Sequence, residues 1–121
     1  PTRRSSDLSF SESLLRLIDE RDLKDSQVYN KANVSRQTFS KIRCNKNYNP
    51  DKNTALALAI ALKLDLNDTQ QLIAKAGYVL SDSIVADLIV KYFITQKNYD
   101  IIKINETLYA YSCKLLGSKM I

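Results

Sequence analysis

The sequence predicts an all-α domain, and three observations carry that prediction. Gly and Pro number only two each among 121 residues, too few for a fold built on tight β turns. Apolar residues recur at three- and four-residue spacings, the period of a helix face. Ser, Asp or Asn stands ahead of these stretches, and these residues cap helix starts. The length and the 45% apolar content suit one domain with its own core.

Seven helices follow in order, and no convincing strand. The first opens at Ser9, with Glu12 at capping-box spacing, and carries Phe10, Leu14, Leu15 and Ile18 on its apolar side. Asp25 or Ser26 caps a short second helix over Gln27 to Ala32. Asn33 then suits a tight turn, because it tolerates left-handed backbone. Ser35 caps the third helix, Arg36 to about Arg43, which ends in the polar loop Cys44 to Asn49.

Pro50 suits the first position of the fourth helix, with Asn49 as its cap. Ala55 to Leu62 alternates Ala with Leu or Ile. The scarcity of β-branched residues there favours helix over strand. A helix apolar all round is a central one, so at least one of Leu58 and Ile60 is expected to be fully buried. Asn67 caps the fifth helix, Asp68 to Ala76, and Gly77 ends it. Ser81 opens the sixth, with Ile84, Val85, Leu88, Ile89, Tyr92 and Phe93 as its apolar stripe. Asp100 caps the seventh, which runs to about Ser112. Ile101, Ile104, Leu108 and Tyr111 line one side of it, and Ile102 and Tyr109 lie elsewhere. Residues 79–121 read as a helical extension of the same compact unit as residues 9–78.

The first eight residues read as foreign. Pro1 to Leu8 spells PTRRSSDL, without apolar periodicity. It can be written as CCT-ACA-CGA-CGC-TCT-TCC-GAT-CT plus one base, a string that resembles a short-read sequencing adapter. A non-native leader is expected, with an ordinary disordered leader as the alternative. The natural protein is then expected to have more sequence upstream, including a further domain.

Several function classes are disfavoured. The chain has no His, which removes the commonest general base and metal ligand. Cys44 and Cys113 are far apart and form no zinc-binding pair. There is no Gly-rich phosphate loop and no nucleophile beside a base. A non-catalytic protein without metal or cofactor is therefore expected. Two isolated cysteines fit a reducing cytoplasm. The longest apolar run, Ala55 to Leu62, is far short of the roughly 18–20 residues of a membrane span.

Charge points to a partner. Residues 24–52 hold seven cationic side chains (Lys24, Lys31, Arg36, Lys41, Arg43, Lys46, Lys52) against Asp25 and Asp51, a net +5. That equals the charge of the whole chain, +5. Such a localised excess suits a polyanion. Within it, the third helix places Phe39 and Ile42 on one side and Arg36, Gln37, Ser40 and Lys41 on the other. One side can anchor to a core while the other offers long donors and acceptors to base edges. Arg43, Lys46, Asn47 and Lys52 are candidates for phosphate contact. Ordinary solvated charge is the competing reading for each of these residues.

The stretch QVYNKANVSRQTFSKIRCNK resembles the motif of the Xre/Cro-like helix-turn-helix family. Val28, Val34, Ser35, Phe39 and Ser40 occupy matching positions, and the resemblance covers about residues 10–78. Four positions depart from the family pattern. Tyr29 stands where a small residue is usual, Asn33 at the turn Gly, Arg43 at a common Glu and Asn45 at a Gly. With TALALAIALKL and the Ala76 to Tyr78 segment, the chain also resembles a bacterial Xre-like module at the C-terminus of larger signalling proteins. The resemblance implies a five-helix helix-turn-helix unit plus two C-terminal helices. It further implies binding of double-stranded DNA through the third helix, and transcription regulation. A homodimer is expected through the seventh helix, with Leu108, Tyr109 and Tyr111 at the interface. The alternative is a non-catalytic protein-interaction module attached to a larger effector or signalling protein.

Overall fold

A computed structural model describes residues 8–117. The leader up to Asp7 and the last four residues of the tail lie outside the described residues. Seven helices follow one another: α1 Phe10–Glu20, α2 Asp25–Lys31, α3 Arg36–Cys44, α4 Lys52–Ala61, α5 Leu66–Ala74, α6 Val85–Thr95 and α7 Ile101–Ala110. No strand occurs among the described residues, so the protein is all-α as expected.

The helix starts show which capping expectations hold. At α1 the box is complete: the Glu12 N–H donates to Ser9 Oγ at 3.1 Å, and the Ser9 N–H to Glu12 Oε1 at 3.0 Å. Ser35 caps α3 and Asp100 caps α7, both as expected.

Four other starts differ. α2 is not capped by Asp25 or Ser26; it begins at Asp25, and the Lys24 N–H donates to Gln27 Oε1 at 2.8 Å. The Asp25 carboxylate is engaged with Arg43 instead. α4 begins at Lys52 rather than Pro50. Asp51 caps it, accepting from the Thr54 N–H at 2.9 Å, while the Pro50 carbonyl accepts from the Tyr78 hydroxyl. α5 is capped by Asp65 rather than Asn67, through the Asp68 N–H at 2.8 Å. α6 starts at Val85 and not at Ser81. The Ser81 N–H donates to Asp87 Oδ2, which holds residues 81–84 outside the helix. Asn33 and Gly77 take positive φ, 59° and 90°, as the turn and helix-end assignments require.

α4 is the centre. Every residue from Thr54 to Ala61 is buried, Leu58 and Ile60 among them. α2, α5 and α7 pack against it, α1 packs on α3 and α5, and α6 bridges α5 and α7. Phe10, Leu14, Ile18, Val28, Phe39, Ile42, Ile73, Val90, Ile94, Ile104 and Leu108 join α4 in one core. The extension is thus built into the same core as the first five helices.

α6 overturns one expectation. Its inward residues are Asp87, Val90 and Ile94, not the full Ile84 to Phe93 stripe. Ile84, Val85, Leu88 and Tyr92 face outward, at 44–62% exposure, while Ile89 and Phe93 are half-buried. The rotation has a polar cause. Asp87 is only 3% exposed, and its Oδ2 accepts both from Lys52 Nζ at 2.7 Å and from the Ser81 N–H at 2.8 Å. This pair joins the first turn of α6 to the first residue of α4. Turning the helix to bury Leu88 and Tyr92 would break it.

The segment after α7 is also tied down. Asn105, 8% exposed, donates to the Leu116 carbonyl at 3.3 Å and accepts the Leu116 N–H at 2.8 Å. Leu116 is buried as a result. Gly117 has φ of 93°, and a Cβ there would lie 2.5 Å from the Asn33 carbonyl oxygen, so only glycine fits.

Chemical denaturation checks this core. Leu58→Ala should cost about 2–5 kcal/mol by leaving a cavity that α4 cannot close. Asp87→Ala should cost about 3 kcal/mol, because it leaves the Lys52 ammonium half-covered without its partner. Midpoints equal to that of the unaltered protein would show that neither contact holds the helices together.

Candidate nucleic-acid interface

α3 owes its placement to both ends and one face. Ser35 Oγ accepts from the Thr38 N–H at 3.1 Å and donates to Thr38 Oγ1 at 2.9 Å, which fixes the first turn. Phe39 and Ile42 are buried, at 2% and 0% exposure, and anchor the inner face. Tyr29 does not swing away from this anchor. Its half-buried ring packs on Phe39 with centroids 5.5 Å apart. The residue that departs from the family pattern thus extends the contact between α2 and α3.

Arg36, Gln37, Ser40 and Lys41 are all exposed and share the outer face. At 3.6 residues per turn they span an arc of about 140°. Cys44 falls within that arc and is exposed too, with its Sγ 3.9 Å from Ser40 Oγ. Its position on that outer face follows from helical spacing alone, but the candidate set above omits it.

The loop after α3 is held from below. The Asn45 N–H donates to the Lys41 carbonyl, Ser11 Oγ of α1 donates to the Asn45 carbonyl, and Asn45 Oδ1 accepts from the Asn47 N–H at 3.0 Å. Lys46 and Asn47 are exposed beside the α3 end. Arg36, Lys41 and Lys46 have no carboxylate within ion-pair distance among the described residues.

Two candidate phosphate ligands are already engaged. Arg43 donates through Nη2 to Asp25 Oδ1 at 2.8 Å and through Nε to Asp25 Oδ2, a two-pronged bridge from the end of α3 to the start of α2. Those bonds raise the guanidinium further above its already high range. Lys52 is committed to Asp87. The structure leaves Arg36, Gln37, Ser40, Lys41, Lys46 and Asn47 exposed on α3 and the loop after it, while Arg43 and Lys52 are engaged as structural cations.

The candidate interface residues of α7 divide. Leu108 is fully buried within the chain and is unavailable to a second copy, contrary to expectation. Tyr109 and Tyr111 are exposed, at 78% and 64%, and so is Ile102. α7 ends at Ala110, two residues earlier than expected, and Tyr111 is its exposed C-cap rather than part of the inner side.

Among the described residues, no group of three His, Cys, Asp or Glu side chains is arranged to hold a metal ion, and no helix is long and apolar enough to cross a membrane. No family model, no curated protein and no solved structure matches the chain.

The α3 cap has a measurable weight. Ser35→Ala should lower stability by about 1 kcal/mol in a urea melt, because it orphans the Thr38 N–H. A loss below about 0.3 kcal/mol would mean that Phe39 and Ile42 alone fix the helix start.

Proposed function

We propose that the chain is an Xre-like helix-turn-helix domain that binds double-stranded DNA, with α3 as the recognition helix in the major groove. The observation that supports this most is the two-sided build of α3. Two buried apolar side chains fix it to the core, and four long or hydroxylic side chains face outward from it, free of internal partners at Arg36 and Lys41. Arg36 suits the O6 and N7 pair of guanine, and Gln37 suits the N6 and N7 pair of adenine. Ser40 and Lys41 lie one turn further on, and Lys46 with Asn47 reach the phosphates beside the groove. Arg43 serves this reading indirectly, by locking α2 to α3. The domain then acts as a cytoplasmic transcription regulator.

A homodimer fits the same proposal, since two copies would present two recognition helices to a two-fold site. Its surface is redrawn from the exposed apolar side chains. Ile84, Val85, Leu88 and Tyr92 of α6 now stand beside Tyr109 and Tyr111 as candidates. That outward face also favours the second reading, a protein-interaction module delivering or regulating a larger effector, because exposed apolar surface of this kind marks a binding face.

A gel shift with selection from random DNA decides between the readings. Enrichment of a palindromic site supports regulation, and no retention at low salt supports the protein partner. On a selected site, Arg36→Ala and Gln37→Ala should each relax preference at a different base pair, by about 1–3 kcal/mol. Lys46→Ala should weaken all sequences alike and flatten the salt slope by about one. Equal losses from all three on specific and random DNA would overturn the assignment.

Sedimentation checks the dimer. The protein should sediment as a dimer at tens of micromolar, and Tyr92→Glu or Tyr109→Glu should return it to monomer. A monomer insensitive to both changes would remove the homodimer from the proposal.

A further inference from the structure

A cleft of about 530 Å³ opens between α2 and α3, at the edge of the outer α3 face. Its volume falls in the range that holds a small ligand. Two of the four positions that depart from the family pattern, Tyr29 and Arg43, line it. Leu23 and Tyr29, both half-buried, and the buried Phe39 form its apolar part, and Ser26 and Ser40 set hydroxyls beside them.

The charge of the lining calls for an anion. Lys24, Arg36 and Arg43 are its cations, and Asp25 is its carboxylate. Both oxygens of Asp25 accept from the Arg43 guanidinium, so these two charges answer each other. Lys24 and Arg36 are exposed and have no carboxylate within ion-pair distance among the described residues. Three cations against one carboxylate leave the lining at a net +2. A phosphate monoester carries about −1.5 to −2 at pH 7 and matches that excess, where a carboxylate would leave half of it.

The apolar part of the cleft restricts what the phosphate is attached to. A bare phosphate ion would leave Leu23 and Tyr29 facing water. A flat aromatic body covers them, and a nucleobase has a face that stacks on an aromatic ring. The Ser26 and Ser40 hydroxyls can each donate and accept, which suits the sugar hydroxyls and phosphate oxygens between the two ends.

We propose that this cleft binds a free nucleoside monophosphate. The phosphate meets Lys24 and Arg36, and the base lies against Tyr29. The site itself does not depend on the DNA-binding reading. One consequence does rest on that reading: an occupied cleft holds Arg36 and Ser40 away from base edges, so the nucleotide competes with DNA.

Amide NMR titration of the full chain with adenosine 5′-monophosphate, without DNA, tests the site. Saturable one-to-one shifts are expected at Lys24, Tyr29 and Ser40. Adenosine, inorganic phosphate and phenyl phosphate should each bind at least about tenfold more weakly than the nucleotide. Lys24→Gln with Arg36→Gln should weaken binding by at least about tenfold, while Lys103→Gln, an exposed cation of α7, should leave it unchanged. No saturable shift at about 5 mM nucleotide would overturn the proposal. So would equal affinity for adenosine, full binding by the double variant, or an equal loss in Lys103→Gln. Phenyl phosphate bound as tightly as the nucleotide would overturn the nucleotide assignment in favour of a phosphorylated tyrosine. Shifts at these amides with duplex DNA but not with the nucleotide would assign the cleft to the DNA surface and overturn the free-ligand site. On a selected duplex, saturating nucleotide should weaken retention by at least about threefold. Unchanged retention would overturn the competition, and failure of any duplex to bind would overturn the DNA reading while leaving the nucleotide titration to stand.

Discussion

The all-round burial of α4 is the constraint on which the rest of the structure depends. A helix with an apolar stripe needs one neighbour, but α4 is apolar on every side from Ala55 to Ala61 and must be enclosed. α2 and α5 cover part of it, and α7 covers another part. Its small residues, Ala55, Ala57, Ala59 and Ala61, let neighbouring helices approach closely, while Leu56, Leu58 and Ile60 fill the space between them. The extension beyond Tyr78 is therefore no appendage. Removing α7 would expose α4, at a cost of roughly 25 cal/mol for each Å² of apolar surface returned to water.

Apolar enclosure sets what is packed together, and two buried polar contacts set how the last helices are oriented. Asp87 ties α6 to the start of α4, and Asn105 ties α7 to Leu116. Each is directional in a way that Val90 or Leu108 is not. A slip of α6 by one residue would keep an apolar residue facing the core but would leave the Asp87 carboxylate and the Lys52 ammonium apart. Such contacts contribute specificity of arrangement more than net stability, because desolvating the charges offsets much of their attraction.

The fold was largely legible in the sequence because its signals are local. The Ser9 and Glu12 box, the Ser35 cap, the Asp100 cap, the turn at Asn33 and the Ala-Leu run all act within a few residues of where they stand. The errors came from long-range pairing. α6 carries apolar residues on two faces, so periodicity alone pointed to the wider one. What decided the inward face was Asp87 meeting Lys52, 35 positions away in the chain. The α4 start was misplaced for a similar reason. Pro50 fits a first helical position, but its carbonyl is taken by Tyr78, and Asp51 at 2.9 Å from the Thr54 amide is the cap that remains.

The candidate interface was legible in part, and its charge shows why only in part. An excess of cations along a stretch of chain becomes a surface patch only if those side chains emerge on one face and stay unpaired. Of the seven cations between residues 24 and 52, Arg43 is bound by Asp25 and Lys52 by Asp87. Lys31 lines a groove beside α7 rather than the outer face of α3. Lys24 stands beside Arg36 and Ser40 at the edge of the α3 face, and Arg36, Lys41 and Lys46 remain on α3 and the loop that follows it. The candidate interface thus holds fewer free charges than the chain count implies, and on the proposed DNA-binding reading more of the selectivity would fall to Arg36 and Gln37. Bidentate contacts of that kind depend on angle as much as on reach. The buried Phe39 and Ile42, the Ser35 cap and the Arg43 bridge to Asp25 together give α3 the fixed orientation those angles require.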